Sequence, residues 1–363
     1  MIPSGTSGEA PFFGKVRLGQ MKRVTIKDIA KIAGVSYATV SRALSDSPEI
    51  SAETRARIKE ICAREGYRAN TLARSLISNK TNVLGLVVPD ISKPFYAEVA
   101  YCVETYARRH GYNVMLCNSQ DDEKQLTDLF DFLLGHQADG IILLSADDQT
   151  CDYVAKYLGT VPLVLLVDSV PENYLDRCSA VSLDNNTAGR MAIEHLHRLG
   201  HDRICYLGHR PNNSTHQMRF LGAKRAAESL GISLSVLENP MNTSTVEAGY
   251  ALAKEYFATP FAATAIFAAN DSLALGVLQA AEEAGIRIPE DLSLLGFDNT
   301  TYADLPRVKL STIDHCKQKL AETSVDLLLQ IINSGRSAKD IEYVHEIVQP
   351  VLVERKTCIA PKA

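Results

Sequence analysis

From about Asn82 onward the chain repeats one pattern: a short run of Val, Leu and Ile, then a longer stretch with helical spacing of apolar residues. VLGLVVP, NVMLCN, GIILLS and VPLVLLV make a first round, with helical patterns such as Phe95 to His110 and Asp122 to Gly135 between them. RICYLG, LSVLEN, TAIFAAN and LSLLGFD make a second, separated by helical patterns near Asn185 to Leu199, Arg219 to Leu230, Thr245 to Tyr256 and Ser272 to Gly285. Unbroken apolar runs mark strands buried on both faces, and parallel neighbours need crossover helices to connect them. The expected fold is therefore an α/β core of two doubly wound parallel-sheet subdomains. Ligands of open parallel sheets collect beyond the carboxyl ends of the strands, so candidate binding residues are those just after each run.

Ahead of this core, VTIKDIAKIAGVSYATVSRAL, residues 24 to 44, spells a helix-turn-helix. Ile26, Ile29, Ala30 and Ala33 recur on one helical face, Gly34 supplies the left-handed residue that ends the helix, and Ser36 is placed to cap a second helix from Tyr37 to Leu44. Val35, Val40 and Leu44 would pack the second helix on the first. That leaves Tyr37, Ala38, Thr39, Ser41 and Arg42 on the outer side, where Arg42 can grip a guanine through two hydrogen bonds and Ala38 can touch a thymine methyl. A third helix fits Ser51 to Arg64.

Beyond it lies YRANTLARSLISNKT, residues 67 to 81. V-S-x-x-T-V-S-R followed about thirty residues later by G-Y-x-x-N-x-x-A-x-x-L resembles the headpiece and hinge of the LacI/GalR family of bacterial transcription regulators, and the resemblance extends over residues 22 to 358. It implies a small all-α headpiece, a hinge helix and a periplasmic-binding-protein-like core. In the family the hinge folds on operator DNA and inserts a leucine into the minor groove, which by position is Leu76 here; an apolar wedge of this kind kinks a base step. Asn70 would cap the hinge helix, Ala73 would allow close approach, and Arg74 would lie near phosphate. One departure is Ala69, where family members usually carry proline.

Charge divides the chain the same way. Up to residue 80 there are 14 Lys and Arg against 7 Asp and Glu, and beyond it 24 against 36, within an overall net charge of −5. A basic headpiece attracts phosphate while an acidic core is repelled by the duplex. Eight cysteines are scattered without a C-x-x-C pair, so reduced thiols in a cytoplasm are expected, with neither zinc site nor disulfide framework. No run of 18 apolar residues exists, and the N-terminus lacks an apolar core behind a positive start, so neither a membrane span nor a secretion signal is expected. Residues 1 to 21 are expected to be a disordered extension, with Met21 as an alternative start. Phosphate-loop, zincin, nucleophile-elbow and dinucleotide motifs are absent, and His195 and His197 fall on different faces of their helix; an enzyme is not expected.

The strand-end search yields Asp90, Ser92, Phe95 and Tyr96 after the first run, and Asp168 and Ser169 after the fourth. In the second round it yields His209, Arg210, Ser214, Thr215 and Arg219, then Asn270 and Asp271, then Asp298 and Asn299. Aromatics to stack on a ring, with Asp, Asn and Arg for hydroxyls, suit a sugar or similar polar ring. The resemblance implies effector contact at Arg219, Asn270 and Asp298, with an aromatic at Phe95 or Tyr96. The motifs R-x-x-G, A-x-N-D and G-[FY]-D stand at Arg219 with Gly222, Ala268 to Asp271, and Gly296 to Asp298. Asp271 leads straight into a helix and reads first as a helix-start residue, while Phe95 and Tyr96 also suit packing of their own helix.

The expected organisation is a headpiece over 22–69, a hinge over 70–80, one core subdomain over 81–181 plus 313–337, and a second over 182–312 plus 338–358, with crossings near Val181, Thr312 and Ser337. The expected function is a sequence-specific regulator, a repressor by preference, binding a palindromic DNA operator as a homodimer. No cofactor or metal is expected, but a small-molecule effector is. A protein co-regulator acting on the same fold, or a solute-binding protein, are the alternatives.

Overall fold

The computed structural model describes residues 24–67, 80–120, 122–144, 150–166, 174, 176–209, 214–240, 243–260, 262–335 and 342–362. The chain falls into two units, one ending at Asn79 and the other starting at Lys80. The expected N-terminal extension and hinge, with Asn70, Ala73, Arg74 and Leu76, lie outside the described residues, as do Asp168 and Ser169.

The first unit holds α1 (Ile26–Ala33), α2 (Tyr37–Leu44) and α3 (Ala52–Arg64). Thr25 and Asp28 form a capping box on α1, and Gly34 at φ 65° closes it in the left-handed conformation. Ser36 caps α2 through the Thr39 amide, and Ser51 caps α3 through the Thr54 amide. Ile29, Val40, Ala43 and Ile58 are fully buried, and Val35 and Leu44 pack partly buried around them. Each fully buried Ile or Val is worth about 1.5–3 kcal/mol. Arg57 on α3 donates to the carbonyl of Ala33 at 2.9 Å, tying the end of α1 to the third helix.

The second unit opens with a clamp. Asp139 accepts hydrogen bonds from the Thr81 amide (2.8 Å), the Thr81 hydroxyl (2.9 Å) and the Asn82 amide (2.8 Å), so the chain enters the core at a held point. The strands that follow are β1 (Val83–Val88), β2 (Asn113–Asn118), β3 (Gly140–Leu144), β4 (Leu163–Leu166) and β5 (Ser179–Leu183). They form a parallel sheet in the order β5-β4-β3-β1-β2, extended at the β5 edge by a strand from near the C-terminus. Leu84, Leu86 and Val88 face α4 (Pro94–Arg109), while Val87 faces α5 (Glu123–Gly135) on the other side.

A second sheet repeats the plan with β6 (Arg203–His209), β7 (Ser233–Glu238), β8 (Ala265–Ala268), β9 (Ser293–Asp298) and β10 (Ser311–Asp314) in the order β10-β9-β8-β6-β7. Two helix pairs flank it: α7 (Asn185–Arg198) with α8 (Ser214–Leu230), and α9 (Val246–Phe257) with α10 (Asp271–Ala284). The short helix Thr150–Val154 is α6. In both sheets strand order reverses beside the first strand, between β1 and β3 and between β6 and β8. The carboxyl ends at such reversals are where ligands bind.

The chain changes lobe between β5 and α7, then between β10 and α11 (Lys317–Ser334), which packs beside α4 on the first sheet. The third crossing differs from the expected position near Ser337. β11 (His345–Val348) pairs parallel with β5 in the first sheet, and only β12 (Val351–Val353) joins the second, antiparallel to β10. The crossing is thus the two residues Gln349 and Pro350. The reason is edge placement: with neighbours on one side only, β11 keeps Glu346 and Ile347 exposed and lacks the apolar run that marks the buried strands.

Gly222 fixes the α7–α8 crossing. A Cβ there would collide with the backbone of Asn186, and one at Gly189 would collide with the backbone of Arg219, so the helices meet main chain to main chain. We expect Gly222→Ala to cost about 1–3 kcal/mol in urea unfolding, because the helices must separate to admit a methyl group. A fully wild-type midpoint would show that the crossing has slack.

His201 ties the chain's last segment to the second sheet. It is 1% exposed; Nε2 donates to the Ile359 carbonyl at 2.8 Å and Nδ1 accepts from the Thr264 hydroxyl at 2.9 Å. Burial holds its pKa below the ordinary value, against the opposing pull of the Ile359 carbonyl and Asp202. The unfolded chain takes up a proton near about pH 6.5 that the folded chain refuses, so stability from this group is complete above that pH and is lost as the pH falls below it. His195 and His315 carry the same sign, and buried Asp271, whose pKa is raised, the opposite one. His201→Gln should flatten the decline in melting temperature between about pH 7 and about pH 5; an unchanged slope would remove His201 as a source of acid sensitivity.

Candidate functional site

On the headpiece, α2 presents the expected outer face. Tyr37 is 65% exposed, Ser41 and Arg42 are exposed, and Ala38 and Thr39 are half-buried. Two of these groups are already engaged. The Thr39 hydroxyl lies 2.9 Å from that of Ser36, and Arg42 Nε lies 3.3 Å from Glu49 Oε2. Both partners of the Arg42–Glu49 pair are more than half exposed, so the contact is worth little and leaves the guanidinium accessible. Lys59 and Arg55 are differently committed: Lys59 pairs with Asp46 at 2.6 Å, and Arg55 donates to the carbonyls of Ser47 and Ile50. The loop between α2 and α3 therefore consumes part of the headpiece's positive charge.

In the core, the strand ends gather one cluster. Arg219 is 2% exposed. Its Nε and Nη2 donate to Asn185 Oδ1 at 3.2 and 3.0 Å, its Nη1 donates to the Ala269 carbonyl, and its Cζ sits 3.3 Å from the centre of the Phe297 ring. Nη2 also lies 3.3 Å from Nε2 of His315, which is 3.5 Å from Asp298 Oδ1. The His315 ring meets Phe95 edge-on at 4.5 Å and Phe297 at 4.8 Å. Phe95 stands at the start of α4 over the first sheet, so the cluster draws on both lobes.

The remaining expected residues are placed as follows. Tyr96 packs edge-on against Phe95 with Lys93 over its ring. Asn270 caps α10, accepting from the Leu273 amide at 2.8 Å, while its Nδ2 reaches the Ser244 carbonyl at 3.5 Å. Asp271 is fully buried and clamps three groups: the Thr300 amide (2.7 Å), the Thr300 hydroxyl (3.1 Å) and the Thr312 hydroxyl (2.7 Å). It is a structural acceptor at the helix start. Asp168 falls outside the described residues.

Asp298 and Asn299 adopt φ values of 108° and 50°, unusual for side-chain-bearing residues. The surroundings enforce this turn. Lys317 Nζ donates to the carbonyls of Asp298 (2.5 Å) and Asn299 (2.7 Å), Asn299 Nδ2 reaches Asp314 at 2.8 Å, and Arg355 reaches Asn299 Oδ1 at 2.7 Å. Backbone strain held in this way is a mark of binding sites. Glu98 on α4 completes the frame, accepting from the Thr301 amide (2.7 Å) and hydroxyl (2.8 Å) and lying 3.4 Å from Lys317 Nζ. This is a direct latch between the lobes.

Burial pushes the Asp298 carboxyl well above the usual range, with Arg219 pulling it back and Asp271 adding to the rise. Burial first, and then Arg219 and Lys317, hold His315 far below its ordinary pKa and so neutral. Cations Arg219 and Lys317 face carboxyls Asp298, Asp271 and Glu98, a set that balances once one carboxyl is protonated. No excess of positive charge awaits an anion.

His315, Asn185, Phe297, Glu98 and Lys317 were not singled out from the sequence. Asn185 and His315 follow strands β5 and β10, so extending the strand-end search to the lobe crossings would have found them. Glu98 lies one turn inside a helix and carries no local signal.

Comparison with known proteins assigns the two units. Residues 25–70 match the family model for bacterial regulatory proteins of the lacI family, and residues 193–358 match a periplasmic binding protein-like domain. The chain is similar to catabolite control protein A of Priestia megaterium, 33% identical over 312 residues that cover 85% of this chain and 93% of that protein. It is also similar to the crystal structure of the lac repressor dimer bound to operator and the anti-inducer ONPF, at a TM-score of 0.81 and 25% identity, covering 93% of this chain and all of that one. A LacI family transcriptional regulator from Enterococcus faecium with bound ribose matches at a TM-score of 0.66 and 28% identity, covering 77% of this chain and 100% of that one. With two domain models matched and a third of the 312 aligned residues shared with a relative covered over 93% of its length, this chain belongs to the LacI family of DNA-binding bacterial transcription regulators.

Proposed function

We propose that this protein is a repressor in the cytoplasm that binds a palindromic operator as a homodimer and is controlled by a neutral, hydroxyl-rich effector of the sugar class held between its two sheets. The carrying observation is the cluster of Arg219, Asp298, His315 and Phe95 at the carboxyl ends of strands from both lobes, closed by the Glu98–Thr301 latch. An aromatic ring with buried donors and acceptors suits a polar ring. The balanced charge disfavours phosphorylated or acidic ligands, which would add an unpaired anion to a desolvated site. Bound ribose in the Enterococcus faecium relative supports the sugar class.

The mechanism follows from the latch and the crossings. Three chain segments join the lobes, and Glu98, Thr301 and Lys317 meet between them, so a ligand touching Asp298 and Phe95 acts on groups whose relative position sets the lobe angle. Effector and operator each prefer one arrangement, and their affinities are then coupled reciprocally. On the headpiece, Tyr37, Ala38, Thr39, Ser41 and Arg42 read the major groove, and Asn70, Ala73, Arg74 and Leu76 serve the hinge. Two headpieces are required because one makes too few base contacts, and a two-fold protein fits a two-fold site.

Thermal stability against neutral sugars, sugar acids, sugar phosphates and nucleobases tests the effector class; a cleft ligand at 100 times its Kd should add about 2.7 kcal/mol. Stabilisation by sugar phosphates alone would overturn the charge argument. Arg42→Ala should weaken operator binding by about 1–3 kcal/mol in fluorescence anisotropy, with less discrimination at the contacted base pair. Asp298→Asn should abolish the response of operator binding to the effector while leaving operator affinity intact; a normal response would move the effector site elsewhere.

A further inference from the structure

His315 is 5% exposed and sits between the lobes, its ring edge-on to Phe95 from one side and Phe297 from the other. Its Nε2 lies 3.3 Å from an Arg219 nitrogen and 3.5 Å from Asp298 Oδ1, whose carboxyl is pushed by burial toward the protonated form, which donates. A guanidinium offers only N–H groups and never accepts, so a ring nitrogen facing it at this distance presents its lone pair. Burial beside the cations Arg219 and Lys317 keeps the ring from taking a second proton. The single ring proton is therefore on Nδ1.

Nδ1 is the atom left over. It is buried and, among the described residues, has no hydrogen-bond partner. A buried donor without an acceptor is costly, and natural chains leave few of them. Its neighbours are engaged: Arg219 on Asn185, Ala269 and His315, Asn270 on the start of α10, and Asp271 on Thr300 and Thr312. The orphan stands beside the aromatic and acidic groups already proposed to hold the effector.

We propose that His315 is a specificity-determining contact of this cleft, donating from Nδ1–H to an acceptor atom of the effector, a hydroxyl or ring oxygen. The assignment rests on the cleft being the effector site and adds a requirement: the ligand must place an oxygen acceptor at His315, and an analogue lacking that oxygen leaves the donor buried and unpaired. Arg219 thereby acts on the ligand through the tautomer it imposes on His315. Discrimination of this kind, built on a buried polar group, is stronger than a hydrophobic pocket achieves.

The test uses the full chain with histidine labelled in both ring nitrogens, His315 being assigned by the signal lost in His315→Asn. Long-range proton–nitrogen NMR should show the Nδ1–H form; the Nε2–H form would overturn the proposal at once. Calorimetric titration then takes D-ribose, D-glucose and cellobiose as probes for wild type, His315→Asn and His315→Gln. The Asn amide reaches the Nδ1 position and should keep the affinity of the sugar that binds within about threefold, whereas the Gln amide reaches the Nε2 position and should lose about tenfold or more. Equal losses in both variants, with operator binding and melting temperature intact, would reduce His315 to a packing role and overturn the proposal. Failure of all three sugars to bind wild type would instead overturn the sugar-class reading of the cleft, a result separable from wild-type binding with an unaffected His315→Gln.

Discussion

The buried guanidinium of Arg219 is the interaction on which the strand-end cluster of the second lobe depends. A charge taken out of water is tolerated only where every donor finds a partner and a counter-charge stands nearby. Here the partners come from four places: Asn185 at the first lobe crossing, the carbonyl after β8, the ring of Phe297 in β9, and His315 after β10. These segments are far apart in sequence, and one side chain sets their spacing. The glycine crossing of α7 and α8 makes this possible, since Gly189 and Gly222 bring the two backbones together where Arg219 and Asn185 must meet. The R-x-x-G motif thus joins the buried arginine of the cluster to the packing that positions it.

A second constraint acts on the turn after β9. Asp271 below it, Lys317 beside it and Glu98 across from it each hold a different part of residues 298–301. Two of these partners belong to elements packed on the first sheet and one to the second. The strained conformation of Asp298 is therefore shared between the lobes, and a change in their relative orientation must alter at least one of these bonds. The conformation of Asp298 and the contact between the lobes are carried by the same four residues of chain.

Much of this architecture was legible in the sequence because it rests on periodicity and caps. Helices α1 and α2 begin and end where apolar spacing, Gly34 and Ser36 place them, and the apolar runs mark eight of the strands. Buried parallel strands are the easiest case, since both faces demand apolar residues. Four strands escaped: β5 (SAVSL) and β10 (STID) are short and interrupted by Ser, Thr or Asp, and β11 and β12 are short edge strands with exposed residues, and with β11 went the third crossing. In the buried cluster, Arg219, Asp298 and Phe95 were reachable from strand ends, and Asp271 was rightly read as a helix-start residue. The role of His315 was not legible: it comes from what stands opposite each ring nitrogen, and no one-dimensional pattern encodes that.

The Asp139 clamp on Thr81 and Asn82 sets how many residues separate the core from the DNA-binding helices. With those residues held, the tether length is fixed from the core side. Each residue released from the clamp would add up to about 3.3–3.6 Å of reach. In a dimer the spread of distances open to the two headpieces would widen accordingly, and the protein would tolerate operators with altered half-site spacing. The half-buried carboxylate of Asp139 at the start of β3 is in this sense a ruler: by fixing where the core begins, it fixes the number of residues a dimer has for spanning two DNA half-sites.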